Sequence, residues 1–490
     1  MERRFNVPEE VSRITETLQN KGFQAYLVGG CVRDLVIGKK PKDWDVTTNA
    51  KPEEIQALFP KTFYENDYGT VGVVSEETSD ETLRVVEVTP FRIEGKYSDG
   101  RRPDTVHWSD KLEDDLKRRD FTINAIAYDP YKGQLIDPYK GQSDIKDKVI
   151  RTVGEPAERF SEDYLRMLRA VRLSTELGFM INQDTEKAIK DNAEMLTDVS
   201  RERVREEFSK IIMSDRPMSG VVLMERLGVL KQVVPEVSAG IGVEQNGDHI
   251  YDVWEHNLRA VQHSADSSWP LHVRIAALLH DVSKPETRRW SKEKDDWTFY
   301  GHDVVGGRVA KKIMERLKFS RHETDVVSKL VRYHLFFSDI EKITLSAVRR
   351  IVKNVGPENV WDLMKVRACD RIGMGRPKET PYRLRKYEAM IEEAMRAPVS
   401  VGMLKIDGAK IMEITDEKPG PRLGFILHAL LEDVLDDPNL NTEENMETRA
   451  IKLAKLSDME LKKLGEAGKE RKEEVETEEI TEIRKRHWVK

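Results

Sequence analysis

The chain has 490 residues, 34% of them charged, with 81 Lys and Arg against 88 Asp and Glu for a net charge of −7. That length predicts several domains, and the acidic balance gives no global support for nucleic-acid binding, which leaves a basic footprint. No apolar run reaches the roughly 18 residues of a membrane span, and the N-terminal MERRFNVPEE lacks the apolar stretch of a secretory signal.

In chain order, AYLVGG, WDVTT, GTVGVVS and TLRVVEVTPF read as strands. EEIQALF, after Lys51-Pro52, reads as a helix with proline in its first turn. This predicts a small α/β domain over residues 1–150. From about Glu155 the apolar period turns helical, in YLRMLRAVRLSTELGF and VREEFSKIIM, giving a helical neck or body over residues 151–240. Gly240 to Gly247 reads as a linker, residues 246–378 as a histidine-rich helical domain, and residues 379–490 as a highly charged helical tail. Cys31 and Cys369 lie far apart, which fits a reduced, cytoplasmic setting better than a disulfide scaffold. Bases are concentrated at Arg101, Arg102, Lys117, Arg118, Arg119 and Arg166–Arg172, so a local basic surface is compatible with the acidic total.

Gly29 and Gly30 close the first strand, and Asp43 and Asp45 stand one residue apart on the second. Side chains alternate across a strand, so both carboxylates are expected on one face with Trp44 behind. Paired carboxylates, beside glycines that let backbone N–H groups approach phosphates, suit a Mg²⁺–triphosphate site. In a two-metal scheme one ion lowers the pKa of an attacking hydroxyl and the other neutralises a leaving pyrophosphate. Glu87, a charge among apolar residues in LRVVEVTPF, is the candidate third carboxylate; a solvated position on a sheet edge is the alternative.

Two further clusters follow. In Arg118-Arg119-Asp120-Phe121-Thr122-Ile123-Asn124, the arginines can clamp phosphates, and Asp120 and Asn124 face one way on a helical turn, where they could read a ribose 2′-OH. A capped helix start with a solvated basic face is the plainer reading. In Glu162-Asp163-Tyr164-Leu165-Arg166-Met167-Leu168-Arg169, Asp163 and Arg166 are three apart and are expected on one helix face. They form either an intrahelical salt bridge or a base-reading pair. An aspartate acceptor beside an arginine donor complements the amine-and-ring-nitrogen edge of cytosine and adenine, and rejects guanine and uracil.

These motifs, in this order, resemble the class II tRNA nucleotidyltransferases of the polymerase-beta-like superfamily, which build the 3′ CCA end of tRNA. The resemblance covers nearly the whole chain. It implies an α/β plus all-α multidomain protein: a nucleotidyltransferase head with a mixed sheet, then a helical neck, a helical HD domain and a helical tail. It implies catalytic, Mg²⁺-binding roles for Asp43 and Asp45, beside which Glu87 stays the candidate third catalytic carboxylate on its own pattern. Gly29 and Gly30 would lie at the phosphates, with Arg33 of the same motif also binding substrate. Arg119, Asp120 and Asn124 match the ribose motif. Asp163 and Arg166 match the base-reading template, with Arg169 also binding substrate. Arg201-Glu202-Arg203-Val204-Arg205-Glu206-Glu207-Phe208 resembles the helical motif that braces the neck. The family's CC-adding members lack a loop that is present here at Arg92–Val106, which argues against CC-only addition but not against A-only addition. Bacterial poly(A) polymerases share the head; the Tyr68-Gly-Thr-Val-Gly-Val region and the tail GFILHALLEDVLDDPNLNTEE look more like the tRNA enzymes.

His256, His280-Asp281, His302, His334 and Asp370 concentrate ligand-type side chains in one helical stretch. Imidazole with carboxylate suits a borderline or hard divalent metal. The order resembles the HD phosphohydrolase superfamily, which implies one metal on His256, His280, Asp281 and Asp370, with His302 and His334 able to add a second. The expected whole is a cytoplasmic enzyme adding CMP and AMP from CTP and ATP to tRNA, with no membrane partner. The alternatives are A-only addition, poly(A) synthesis, or a metal-dependent phosphohydrolase as the main activity.

Overall fold

Short β-branched runs build the first part of the chain into a sheet, and one amphipathic helix covers it. Helix α1 (Glu9–Asn20) buries Val11, Ile14 and Leu18 at helical spacing. Then come β1 (Ala25–Val28), α2 (Gly30–Ile37), β2 (Asp45–Thr48), α3 (Pro52–Leu58), β3 (Thr62–Tyr64), β4 (Val71–Val74) and β5 (Val85–Pro90). They are followed by β6 (Arg92–Glu94), β7 (Val106–Trp108), α4 (Leu112–Lys117), β8 (Ala127–Asp129) and β9 (Gln134–Ile136). Seven strands form one mixed sheet in the order β3-β4-β5-β2-β1-β8-β9. Within it β2 and β5 run parallel and every other pair is antiparallel. Leu27, Val46, Val71, Val86 and Val88 are buried along its centre. This is the mixed-sheet head expected.

The computed structural model describes residues 4–65, 69–95, 105–246, 249–335, 343–396 and 400–489. Tyr68, Arg101, Arg102, Gly247 and the middle of the expected loop, 96–104, lie outside the described residues; β6 and β7 pair on either side of that loop. Two details differ from expectation. The second strand starts at Asp45, so Asp43 sits in the bend ahead of it and strand alternation does not align the two. Pro41 and Trp44 are buried on either side of Lys42 and Asp43, which fixes the bend rather than an extended strand. The fifth strand starts at Val85, because a 3₁₀ turn capped by Asp80 takes up Glu81–Leu83.

Two compact units are present: residues 1–334 with 365–377, and residues 335–364 with 378–490. The first continues through α5 (Gly141–Asp147), β10 (Val149–Ile150), α6 (Pro156–Glu162), α7 (Leu165–Leu177), β11 (Met180–Ile181), α8 (Gln183–Asn192), α9 (Arg201–Met213) and α10 (Pro217–Arg226). Two one-turn helices, α11 (Leu230–Val233) and α12 (Pro235–Ser238), lead to α13 (Val253–Asp266), α14 (Leu271–Leu279), α15 (Lys284–Thr287), the hairpin β12 (Arg289–Ser291) and β13 (Asp296–Thr298), α16 (His302–Arg316) and α17 (Arg321–Tyr333). The expected linker is not free chain in its described part. Trp254 N–H donates to Gly240 O, Gln245 accepts from Lys284, and Asn246 donates to Trp297 O.

A break at Asp163 corrects a further expectation. The residue is extended, at φ −155° and ψ 103°, between α6 and α7, so Asp163 and Arg166 do not share a helix face. After α18 (Leu345–Val355) in the second unit, α19 (Val360–Gly373) supplies its later residues to the first. The second unit also holds α20 (Tyr382–Met395), α21 (Gly408–Thr415), α22 (Pro421–Asp436), α23 (Glu443–Ala454) and α24 (Asp458–Arg486), with Ile411, Ile426, Leu430, Leu431, Met446 and Leu461 in its core. Among the described residues, no helix is long and apolar enough to cross a membrane.

Candidate active site and metal centre

Parallel pairing of β2 with β5 sets Asp45 directly beside Glu87. Because β5 is an interior strand, Glu87 is not on a sheet edge, although its side chain is open to solvent. The three acids interact. Burial pushes the Asp45 carboxyl above its ordinary value; Arg119 opposes this and Asp43 adds to it. Glu87 is pushed up to about 7, by partial burial first and then by the charges of Asp45, Glu65 and Asp43. Carboxylates that raise one another's proton affinity have the donor set and charge that suit hard divalent cations. On this ground the cluster fits a metal.

Gly29 stands over the cluster with φ +81°, a left-handed backbone that favours glycine, at the N-cap of α2. A Cβ there would come 3.1 Å from Asp45 Oδ2 and 3.2 Å from Arg119 Nη1. Arg33 lies over Gly30 and donates to Asn124 Oδ1 at 2.9 Å, which ties the first motif to the second. Cys31 packs behind; burial and the nearby Asp45 push its thiol up to about 12, so it is inert. Neither cysteine is in a disulfide, and both are buried.

Arg119 is the shared wall of two spaces. Its Nη2 is anchored on buried Asp115 at 2.9 Å, while its buried Nε has no hydrogen-bond partner. On its far side lies a cavity of about 280 Å³, lined by Arg118, Arg119, Asp120, Asp163, Leu165, Arg166, Arg169 and Arg203. The structure thus brings the expected ribose and base residues to one place, apart from Asn124, which sits just behind on Asp120 with its Nδ2 3.1 Å from Oδ1. Asp120 Oδ2 accepts from Arg169 Nε and Nη2 at 3.0 and 2.7 Å. Burial works against its ionisation, but the Arg169 charge and these hydrogen bonds outweigh it and hold the carboxyl well below the usual range.

The side chains of Asp163 and Arg166 are not paired to each other. Arg166 Nη1 bonds to Glu162 and to Arg159 O, whereas Asp163 accepts both prongs of Arg203 from α9. Arg203 appeared in the sequence only within the neck-bracing motif. Its contact spans 40 residues, and no local spacing signals it.

The second cluster is closed. His256, His280, Asp281 and Asp370 form one group of potential ligands, and Asp281, His302 and His334 form another, with ligand atoms within 4.8 Å of one another in each. All six expected residues are therefore together, and Asp281 belongs to both groups. His280, His302 and His334 each direct Nδ1 at a backbone carbonyl three residues earlier, at 2.8, 2.6 and 2.7 Å. Each Nδ1 therefore carries the proton in the neutral ring, and each Nε2 lone pair faces inward. The Nε2 atoms of His256 and His280 are 2.8 Å apart, and the buried Nε2 of His302 has no hydrogen-bond partner. Two ring nitrogens this close, with a third that has no hydrogen-bond partner, fit a divalent cation. Burial disfavours charge on His280, yet Asp281 and Asp370 raise it to about 10, so a proton and a metal compete for the same position. Lys284, 2.6 Å from Asp281 Oδ2, was not singled out in the sequence, although its place three residues after Asp281 was a usable signal.

Three family profiles match: the poly A polymerase head domain over residues 25–151, the probable RNA and SrmB-binding site of polymerase A over residues 178–241, and the HD domain over residues 249–383. The CCA-adding enzyme of Leuconostoc mesenteroides is 31% identical over 441 residues, covering 89% of this chain and 94% of the relative. That of Lactobacillus helveticus is 48% identical over 199 residues, covering 40% of this chain, and this match spans only about half (48%) of the relative's length. Among solved structures, the Bacillus stearothermophilus CCA-adding enzyme in complex with CTP has a TM-score of 0.60 at 29% identity, over 91% of this chain and 96% of that one.

Proposed function

Because the chain belongs to the CCA-adding enzyme family, we propose that it transfers CMP and AMP from CTP and ATP to the 3′-hydroxyl of tRNA, with release of pyrophosphate. The observation that carries this is the position of Arg119, between the Asp45–Gly29 corner and the Asp163–Arg166 cavity. One nucleotide can lay its triphosphate at the acidic cluster and its base in the cavity. The Bacillus relative was solved in complex with CTP, which supports CTP as a substrate.

Asp43, Asp45 and Glu87 would hold Mg²⁺, which activates the attacking hydroxyl and neutralises the leaving pyrophosphate. The backbone around Gly29 and Gly30 receives phosphate oxygens at the N-terminus of α2, and Arg119 adds a planar donor. Asp120 and Asn124, held together and tied to Arg33 and Arg169, would form a rigid ribose contact. Asp163 accepts from the exocyclic amine of cytosine or adenine, and Arg166 donates to the adjacent ring nitrogen. Uracil and guanine place a carbonyl against the carboxylate and an N–H against the guanidinium, so both contacts turn repulsive. No nucleic-acid template is needed. A tRNA substrate and two buried cysteines outside any disulfide fit a cytoplasmic enzyme.

The test is incubation of the protein with tRNA lacking CCA, with CTP, ATP or both, followed by sizing of the product. A three-nucleotide extension that stops is expected. A long A tail would identify a poly(A) polymerase, and extension only of tRNA ending in CC an A-adding enzyme. The two metal groups sharing Asp281 favour a second activity in the same chain, hydrolysis of a phosphoester. Phosphate release that dies in His280→Ala while CMP incorporation survives is its signature.

A further inference from the structure

Helix α9 meets the arginine-lined cavity through one side chain. Arg203 donates Nη1 to Asp163 Oδ1 at 3.1 Å and Nη2 to Oδ2 at 2.6 Å, a parallel two-pronged contact. Asp163 needs an outside anchor because it lies at the break between α6 and α7. Locally its carboxylate accepts from the Leu165 N–H, 3.1 Å from Oδ1, while its backbone carbonyl accepts from the Arg166 N–H at 3.0 Å. Arg166 is held differently, by Glu162 and by the carbonyl groups of Arg159 and Arg118. The acceptor and the donor of the base-reading pair therefore have separate anchors, and only the acceptor's comes from α9.

We infer that Arg203 is a positioning residue for nucleotide choice: it fixes the plane of the Asp163 carboxylate so that an oxygen lone pair meets an exocyclic amine on the base. This rests on the proposed reading of Asp163. The alternative fate of an unanchored Asp163 explains why the anchor matters. Arg166 and Arg169 line the same cavity. A carboxylate released from Arg203 would turn onto one of these guanidinium groups, removing an acceptor and a donor from the base at once. Lysine cannot replace the fork, because a single ammonium leaves the carboxylate free to rotate.

The experiment measures kcat/KM for all four nucleoside triphosphates on one tRNA primer, with wild type, Arg203→Gln, Arg203→Lys, Asp163→Asn and the Arg203→Gln/Asp163→Asn pair. A misplacement of about 1 Å at a reacting site costs on the order of 100-fold. The ratios for CTP over UTP and ATP over GTP should fall by about 10- to 100-fold in Arg203→Gln and by less in Arg203→Lys. The double variant should select no worse than Asp163→Asn alone. Equal loss for all four nucleotides, with unchanged ratios, would mean a merely structural role and overturn the inference; so would additive losses in the pair. If Arg203→Gln shows no cooperative melting transition, Arg203→Lys decides, and wild-type ratios there overturn it. A wild-type protein that takes all four nucleotides equally would instead sink the reading of Asp163 itself.

Discussion

Two clusters of potential metal ligands stand in one compact unit and are built in opposite ways. Asp43, Asp45 and Glu87 come from a bend and two parallel strands, Glu87 faces solvent, and the group is bordered by cationic Arg119. Asp281 and the five groups around it come from five separate segments, each is at most 6% exposed, and three of the four rings are fixed by a backbone carbonyl. The first has room for a cation that arrives and leaves with a triphosphate. The second encloses its potential ligands fully, as suits a site that retains its ion. Openness, more than ligand identity, separates a substrate-exchanging site from a retained one.

The largest effect expected on this contrast comes from the open cluster. Asp43→Ala and Asp45→Ala should each lower CMP and AMP incorporation by on the order of 1000-fold. Metal content measured after extensive dialysis should be unchanged, because the closed cluster is intact. Loss of the retained metal in either variant would erase the distinction between the sites, and retained incorporation would remove the aspartates from the chemistry.

A smaller effect is expected from the closed cluster. Asp281→Ala removes the carboxylate common to both ligand groups and leaves buried Lys284 with neutral Gln245 but without this carboxylate. Uncompensated buried charge costs about 3–5 kcal/mol, so the melting temperature should fall by several degrees and retained metal should disappear. Incorporation measured well below the new melting temperature should persist. A variant that keeps its metal would show that His302 and His334 do not depend on Asp281.

The closed cluster was also the more legible in the sequence. Histidine and aspartate have few reasons to concentrate in apolar helices, so His256, His280, Asp281, His302, His334 and Asp370 stood out by type, and the structure brings all six together. The seven-stranded sheet was legible only in part. β1, β2, β4 and β5 carry apolar runs, whereas the three-residue β3, β8 and β9 are too short to show alternation. The nucleotide cavity was legible in its members but not in its bonding. Spacing suggested an Asp163–Arg166 pair on one helix; the chain breaks at Asp163, and the actual partners are Arg203 and Glu162. Glu87 was left between two environments because its neighbour across the sheet, Asp45, is set by strand pairing between segments 42 residues apart, which no local pattern records.

The smallest effect expected concerns the open cluster alone. Glu87 is held at about 7, above its ordinary 4.5, by partial burial and by neighbouring carboxylates. A carboxyl raised in the folded state favours folding fully below the unfolded value and loses that contribution as pH rises through the folded value. In metal-free protein, Glu87→Gln should therefore raise the melting temperature at pH 8 and leave it unchanged near pH 4. Solvent access screens the repulsion, so a gain of about 1 kcal/mol or less is expected. Added Mg²⁺ should reverse the order at pH 8, because the ion uses the charge that the glutamine lacks. Equal melting temperatures across the pH range would show that Glu87 does not share the field of Asp45. A gain that survives Mg²⁺ would show that it shares the field but not the ion.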